Sequence, residues 1–174
     1  VGAFSFAEVI SGMTSYFLGA RSVCPSATMK VQFVGSWSDP TLEAEAAKAL
    51  IDKGAVMISQ HSDNTTPATT AQERGVFHTG YNNDMTGVAP KASLLSCRID
   101  WTNYFYTFIA NYINGVQNPS DYCGEMARGE VVVTELNTAI AAPGTKEAMD
   151  KAAAAIADGS LHVFDTSKFT IKGA

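Results

Sequence analysis

Apolar residues in the first hundred positions come in short blocks separated by polar segments, and this pattern predicts alternating strands and helices. Short apolar runs are typical of strands, whereas apolar positions that recur at intervals of three and four are typical of helices. We predict strands at residues 1–4, 29–34, 55–59, 76–79 and 93–99. We predict helices at residues 6–21, 41–53 and 66–75. Because parallel strands need crossovers, this alternation predicts an α/β fold with a doubly wound parallel sheet.

Local sequence signals mark several of the predicted helix ends. Ser5 and Glu8 have the spacing of a capping box, in which each side chain accepts a hydrogen bond from the main-chain amide of the other residue. Asp39 precedes Pro40, a pair typical of an N-cap and the first helical position, so we interpret Asp39 as a cap rather than a ligand contact. Gly54 is placed to end a helix in the left-handed conformation.

The remaining residues, 101–174, do not complete a second sheet. We predict an aromatic helix at 102–114, a strand at 129–136 and an alanine-rich helix at 146–158, with no further strand and helix in 160–174. Aromatic residues of the first of these helices recur at intervals of three and four. That spacing favours packing against a core or another domain over a ligand site.

Charge and cysteine content exclude several classes of protein. Lys and Arg number 12 against 17 Asp and Glu, for a net charge of −5, and neither half is basic, so we expect no nucleic-acid partner. No apolar run approaches the roughly 20 residues that cross a bilayer. Cys24, Cys97 and Cys123 are too few and too widely spaced for a zinc site. We expect three buried thiols, with one disulfide and one free thiol as the alternative.

Polar and aromatic side chains follow three of the predicted strands. Ligands of open parallel sheets bind beyond the carboxyl ends of the strands, so these loops form the candidate site. The candidate ligand-binding residues are Trp37, Gln60, His61, Asp63, Asn82 and Asp84. We expect Trp37 to stack on a flat ring or to pack against its helix, and the polar side chains to bind hydroxyls or ring nitrogens. The segment 82–84 also fits a simple turn.

The chain has no strong sequence signal of an enzyme active site. A Gly-x-Ser-x-Gly turn, a phosphate-binding glycine loop and a Gly-x-Gly-x-x-Gly motif after the first strand are all missing. His61, Ser62 and Asp63 are adjacent, whereas members of a catalytic triad usually come from distant segments. None of the three histidines has metal-ligand spacing from another. The signals of an enzyme are therefore weak, and we expect neither a cofactor nor a metal.

Several segments match one family in order along the chain. They are SFAEVISG at residues 5–12, LGARSV at 18–23, GSWSDP at 35–40 and ISQHSD at 58–63. GYNNDM at 80–85 lies where that family has a Gly-x-Asp-x-Asp segment, and FDT at 164–166 resembles its later region. The series resembles the basic membrane protein (BMP) family, the PnrA-like substrate-binding lipoproteins of ABC importers.

The resemblance implies a type I periplasmic-binding-protein fold, in which two α/β lobes trap a ligand between them. Residues 1–100 then form the second lobe, and residues 101–174 are crossover segments that partly belong to the first lobe. Family members are longer at both ends, so we expect this chain to be the interior of a longer protein. The resemblance places Trp37 at an aromatic that stacks on a base, and Asn82 and Asp84 on the acidic ligand-binding segment.

Two departures from the family pattern broaden the expected ligand. Asn82 stands at the first acidic position of its segment, which weakens an ionic contact with ribose hydroxyls. Ile99 stands where nucleoside-binding members resemble one another in carrying lysine. We therefore expect a nucleoside, a nucleobase or a similar small ring compound.

Together these inferences predict an extracytoplasmic solute-binding component of an ABC importer, periplasmic or anchored to the cell membrane as a lipoprotein, with a membrane permease as its partner. The alternatives are a sensory ligand-binding module and a small-molecule hydrolase that uses Asp63 or Asp84 as base. We also expect the aromatic helix 102–114 to expose an apolar face, so that this piece of chain self-associates and binds ligand more weakly than the intact protein.

Overall fold

A computed structural model describes residues 1–164 and shows helices alternating with strands. The helices are α1 (Ala7–Val23), α2 (Pro40–Asp52), α3 (Thr66–Glu73), α4 (Thr102–Ile113) and α5 (Thr145–Ala157). The strands are β1 (Met57–Ser59), β2 (Phe77–Tyr81), β3 (Ser93–Ile99) and β4 (Val131–Val133), and a short 3-10 turn, Met126–Arg128, precedes β4. Every predicted helix is present with its ends within about two residues of the prediction, and the α/β fold class is confirmed.

The four strands form one sheet in the order β1-β2-β3-β4. Strands β1, β2 and β3 are parallel, with Ser59 opposite Thr79 and Tyr81 opposite Cys97. Strand β4 runs antiparallel to β3, with Val133 opposite Cys97. The parallel part of the sheet is therefore as predicted, and the strand from the second half of the chain joins it at the edge in the opposite direction.

The first two predicted strands are present as short extended segments beside β1. Gly2 N donates to the Gln32 carbonyl at 2.9 Å, and Val34 N donates to the Gly2 carbonyl at 3.0 Å. On the other side, Ala3 N donates to the His61 carbonyl at 3.0 Å. The order along the sheet is thus residues 32–35, residues 1–3, then β1 to β4. Main-chain hydrogen bonds join the two segments over only a few residues, so both are shorter than the predicted strands.

Small side chains let the helices approach the sheet closely. The buried core consists of Ala47, Leu50, Ile58, Ala68, Ala71, Met85, Ala89 and Ala92. At Gly80 in β2, an added Cβ would overlap Ser96 Oγ of β3 and lie 2.6 Å from Met85 Cγ. Only glycine fits there, because the neighbouring strand and the following loop both contact the backbone directly.

Two predictions about helix starts have different outcomes. The Asp39 carboxylate accepts hydrogen bonds from the amides of Thr41 and Leu42, both at 3.0 Å, so its prediction as a cap is confirmed. The capping box at Ser5 is wrong: the N-cap of α1 is Phe6, and no side chain caps it. The helix begins one residue later than the box requires, which leaves Ser5 outside the first turn.

The predicted burial of the cysteines is also wrong. Cys24, Cys97 and Cys123 are free thiols and all three are exposed. An apolar side chain is buried only where another element covers it. No helix within residues 1–164 is long and apolar enough to cross a membrane. The expectations for residues 165–174, including most of the FDT segment, lie outside the described residues.

Helix α4 exposes its aromatic face. None of its residues is buried, and the exposed fractions reach 77% at Tyr106, 80% at Tyr112 and 75% at Ile113. The expectation of an exposed apolar face is therefore confirmed for this chain.

Candidate functional site

The order of segments in the sheet selects one place for a ligand. From residues 1–3 the chain crosses to residues 32–35 on one side, and then returns to β1 on the other side. In such open α/β sheets, ligands bind beyond the carboxyl ends of the strands at the point where the order reverses. That point lies between the loops after residues 1–3 and after β1.

Five aromatic rings gather at this point, and we call Phe4, Phe6, Trp37, His61 and Tyr81 the aromatic cluster. The Trp37 ring centroid is 5.8 Å from that of Phe4 and 6.2 Å from that of His61. His61 and Tyr81 are 4.0 Å apart. Phe4 and Phe6 stack at 5.0 Å with their planes 12° apart. The rings come from four separate segments of the chain, and the sheet brings these segments together.

The cluster is partly open to solvent. Phe6 is 53% exposed, and the other four members are half-buried. Helix α1 closes one side, because an added Cβ at Gly12 would lie 3.2 Å from His61 Nδ1. A half-open aromatic surface of this kind can stack on a planar ring.

Gln60 is placed beneath the cluster rather than in it. Its side chain is buried, and Nε2 donates to the carbonyls of Ser62 at 3.0 Å and Asn64 at 2.8 Å. Its Oε1 lies 2.9 Å from His78 Nε2. Three contacts therefore hold this amide, which makes Gln60 a support for the loop 60–64.

The acidic and amide candidates lie on the exposed rim. The main-chain N–H of Asp63 donates to the Trp37 carbonyl at 2.7 Å, and the Asp63 side chain is exposed. Asn82 has a left-handed backbone, with φ of 62°, next to Tyr81 of the cluster. Asp84 Oδ1 accepts from both Thr86 N at 2.9 Å and Thr86 Oγ1 at 2.6 Å, so this carboxylate also stabilises its own turn.

Negative charge surrounds the rings. Burial lowers the pKa of His61, while the carboxylates of Glu8 and Asp63 act in the opposite direction. Burial raises the pKa of Tyr81, and the same two carboxylates raise it further. The segments that carry the cluster and its neighbouring carboxylates, residues 4–8, 35–39, 60–65 and 81–86, contain Glu8, Asp39, Asp63 and Asp84 and no Lys or Arg. The site thus favours uncharged or donor-rich ligands over anionic ones.

The fold brings together Trp37 and His61, two of the predicted ligand-binding residues. It places beside them Phe4, Phe6, Tyr81 and Glu8, which were not in the predicted ligand-binding set. The rule that points to loops after strands applies equally to the loop after residues 1–4, but the predicted helix begins there at once. Among residues 1–164, no three His, Cys, Asp or Glu side chains are grouped so that they could hold a metal ion.

Two known proteins are similar to this chain in sequence. A purine-binding protein of Brucella abortus is 33% identical over 164 residues, which are 94% of this chain and 46% of that protein. A protein of Haloferax volcanii named for glucose binding by an ABC transporter is 36% identical over 135 residues, 78% of this chain and 34% of that protein. The chain thus spans less than half the length of these two relatives.

A solved structure shows the same fold. The solute-binding protein of an ABC transporter system from Conexibacter woesei superposes with a TM-score of 0.70 at 19% identity, covering 92% of this chain and 54% of that one. The family described as ABC transporter substrate-binding protein PnrA-like, Bmp, matches residues 1–159. The chain therefore belongs to the Bmp family of PnrA-like ABC transporter substrate-binding proteins.

Proposed function

We propose that this chain supplies one ligand-binding lobe of the substrate-binding component of an ABC importer, and that the aromatic cluster stacks on a nucleobase, a nucleoside or a similar planar ring. The observation that carries the proposal is the position of the cluster at the carboxyl ends of residues 1–3 and β1. The name of the Brucella relative, a purine-binding protein, supports a ring ligand for this chain.

The charge around the cluster favours a ligand without phosphate. The rim residues Asp63, Asn82 and Asp84 offer oxygen acceptors for hydroxyl or amino groups. A phosphate would meet the carboxylates of Glu8 and Asp63 with no Lys or Arg in the same loops to offset their charge. We expect nucleosides or nucleobases to bind and the corresponding nucleotides to bind more weakly.

Residues 1–100 act as the second lobe in this proposal, and residues 101–174 contain the crossover segments. The exposed face of α4 then packs against polypeptide of the first lobe, and residues 1–174 taken alone self-associate through it. Ligand binding shifts the population towards a closed arrangement of lobes, which a membrane permease recognises. The protein works outside the cytoplasm, held by a lipid anchor or free in the periplasm, and makes and breaks no bonds in its ligand.

Calorimetric titration of the full-length protein with adenosine, guanosine and hypoxanthine tests the ring-binding site. We expect Trp37→Ala to lose about 1–3 kcal/mol of binding free energy, or roughly 5- to 150-fold in Kd, because a stacked base loses its platform. Trp37→Phe should retain most of the affinity. Trp101→Ala is the matched control, because Trp101 is an exposed tryptophan at the start of α4 whose ring packs on Tyr104 and Phe105 and not on the cluster.

Three outcomes would contradict the proposal. Binding of a ring compound with the same Kd in Trp37→Ala would place the ligand elsewhere. Tighter binding of adenosine monophosphate than of adenosine would contradict the phosphate-free ligand. Conversion of a bound compound to product, lost in Asp63→Asn or Asp84→Asn, would indicate a hydrolase instead.

A further inference from the structure

Glu43, in the first turn of α2, is fully buried and accepts three hydrogen bonds. Its Oε1 accepts from Asp39 N at 3.1 Å and also from Asn64 Nδ2. Its Oε2 accepts from Ser62 Oγ at 2.6 Å. Burial raises the pKa of this carboxyl group, while the bonds from Ser62 and Asp39 oppose that change. Among the described residues, no Lys or Arg pairs with it.

Two of the three partners require an acceptor at position 43. The group on Asp39 is a main-chain N–H, which can only donate. Asn64 Oδ1 accepts from Thr66 N at 2.8 Å, so its Nδ2 is the atom that faces Glu43. A carboxylate accepts from all three groups. A glutamine could still accept from Asp39 N and Asn64 Nδ2 through its one oxygen, but its amide would face the Ser62 hydroxyl, which would have to accept instead of donate. The short charge-assisted bond from Ser62 therefore depends on the carboxylate, despite the cost of burying it.

The three partners belong to the two loops that carry the central rings of the aromatic cluster. Asp39 lies two residues after Trp37, and Ser62 lies between His61 and Asp63. The loops also meet directly, where Asp63 N donates to the Trp37 carbonyl. Glu43 thus joins the Trp37 loop to the His61 loop, and the two rings that these loops carry lie 6.2 Å apart.

We propose that Glu43 is a positioning residue, which fixes the distance and angle between Trp37 and His61 so that both rings can contact one planar ligand. The proposal rests on the proposed ring-binding function. One consequence of the positioning role can be tested without any ligand. When the Glu43 carboxylate is removed, the Trp37 side chain samples more than one orientation.

Fluorine NMR of the full-length protein labelled with 5-fluorotryptophan tests this consequence without ligand. The Trp37 resonance is assigned by its loss in Trp37→Phe, and the Trp101 resonance by its loss in Trp101→Phe. In Glu43→Gln we expect the Trp37 resonance to shift and to broaden or split, while the Trp101 resonance is unchanged. Glu45→Gln is the matched control, because Glu45 is an exposed carboxylate on the same helix, and it should leave both resonances as in the wild type.

Calorimetric titration with a ring compound that the wild type binds then measures the effect on affinity. We expect Glu43→Gln to weaken binding about two- to tenfold, since the ligand must now order a side chain that was fixed before. Ser62→Ala removes one donor and leaves the carboxylate, and should change the Trp37 resonance in the same direction but less. If Glu43→Gln does not fold, the Ser62→Ala variant provides the test.

An unchanged Trp37 resonance in the folded variants would overturn the positioning role. So would a wild-type Kd in Glu43→Gln, or equal changes in the Trp37 and Trp101 resonances, which indicate a general loss of stability. The wild type could bind none of the ring compounds while Glu43→Gln still alters the Trp37 resonance alone. That result would contradict the proposed function but support the role of Glu43 in joining the two loops.

Discussion

His78 shows how the neighbours of a buried side chain determine where its proton lies. Gln60 Nε2 already donates to two carbonyls, so Gln60 Oε1 must accept, and His78 Nε2 carries the hydrogen. His78 Nδ1 is then an acceptor for the Ser93 hydroxyl at 3.3 Å. The imidazole is neutral, and burial lowers its pKa from the usual 6.5 to about 3.

This histidine should make the fold less stable in acid. In the unfolded chain it takes up a proton near its usual pKa of 6.5, but in the folded chain only near 3. Between these values the unfolded state binds more protons, so the free energy of unfolding falls as pH falls, by up to about 1.4 kcal/mol per pH unit. Urea unfolding between about pH 7 and about pH 4.5 should show a shallower dependence in His78→Gln than in the wild type.

The control for this prediction is His162→Gln, which removes an exposed imidazole and should keep the wild-type dependence. Carboxylates also titrate in this range, so the comparison between the variants isolates the contribution of the buried histidine. Identical pH dependence in the wild type and His78→Gln would contradict the neutral buried state.

At the scale of elements, helices α1 and α2 begin in different ways. Helix α2 starts on Asp39, whose carboxylate accepts two amide hydrogen bonds, and continues with Pro40, which has no N–H to satisfy. Helix α1 starts on Phe6 without a side-chain cap, although Ser5 and Glu8 have the right spacing for one. Phe6 is both the N-cap residue of α1 and a member of the aromatic cluster. The first residue of this helix end therefore contributes a ring to the candidate site.

Substitutions at the two starts should therefore have unequal effects. Asp39→Ala should lower the free energy of unfolding by about 1 kcal/mol, because two amides lose their acceptor. Ser5→Ala should change it by less than about 0.5 kcal/mol, because the hydroxyl caps nothing. Urea denaturation of both variants measures the difference. Equal losses would mean that the capping box at Ser5 forms in solution after all.

At the level of the whole molecule, the exposed face of α4 is notable because, within residues 1–164, this helix carries more exposed large apolar side chains than any other. It includes Phe105, Ile109, Tyr112 and Ile113, each more than half exposed. Monomeric proteins rarely expose a continuous apolar surface of this kind. The chain spans 46% of the length of its Brucella relative, and in the proposed function the first lobe covers this face.

Residues 1–174 alone should self-associate through this face. We expect light scattering after size-exclusion chromatography to show oligomers whose fraction rises with concentration. Replacing both Tyr112 and Ile113 by Ser should shift the population towards monomer. Val23→Ser is the matched control, because Val23 is 77% exposed but lies at the end of α1, and it should leave the oligomers unchanged. A wild-type chain that is monomeric at every concentration would contradict this prediction.

Features that depend on neighbours along the chain could be predicted from the sequence. Apolar periodicity located the helices and the strands of the parallel sheet, and the Asp39-Pro40 pair located the start of α2, because these signals act over one or two helical turns. The same local rules failed where a contact from elsewhere decides the outcome. Ser5 has the spacing of a cap but lies outside its helix, and the three cysteines are apolar but have no surface to cover them.

The composition of the candidate site depends on pairing between segments that are distant in the sequence. Residues 32–35, 1–3 and β1 pair side by side although they are far apart in the sequence, and this order places the loops of Phe4, Trp37 and His61 around one point. It also turns Gln60 and Glu43 inward, as supports for those loops. Pairing between distant segments follows from burial and hydrogen bonding of the whole sheet, which no local pattern of residues encodes.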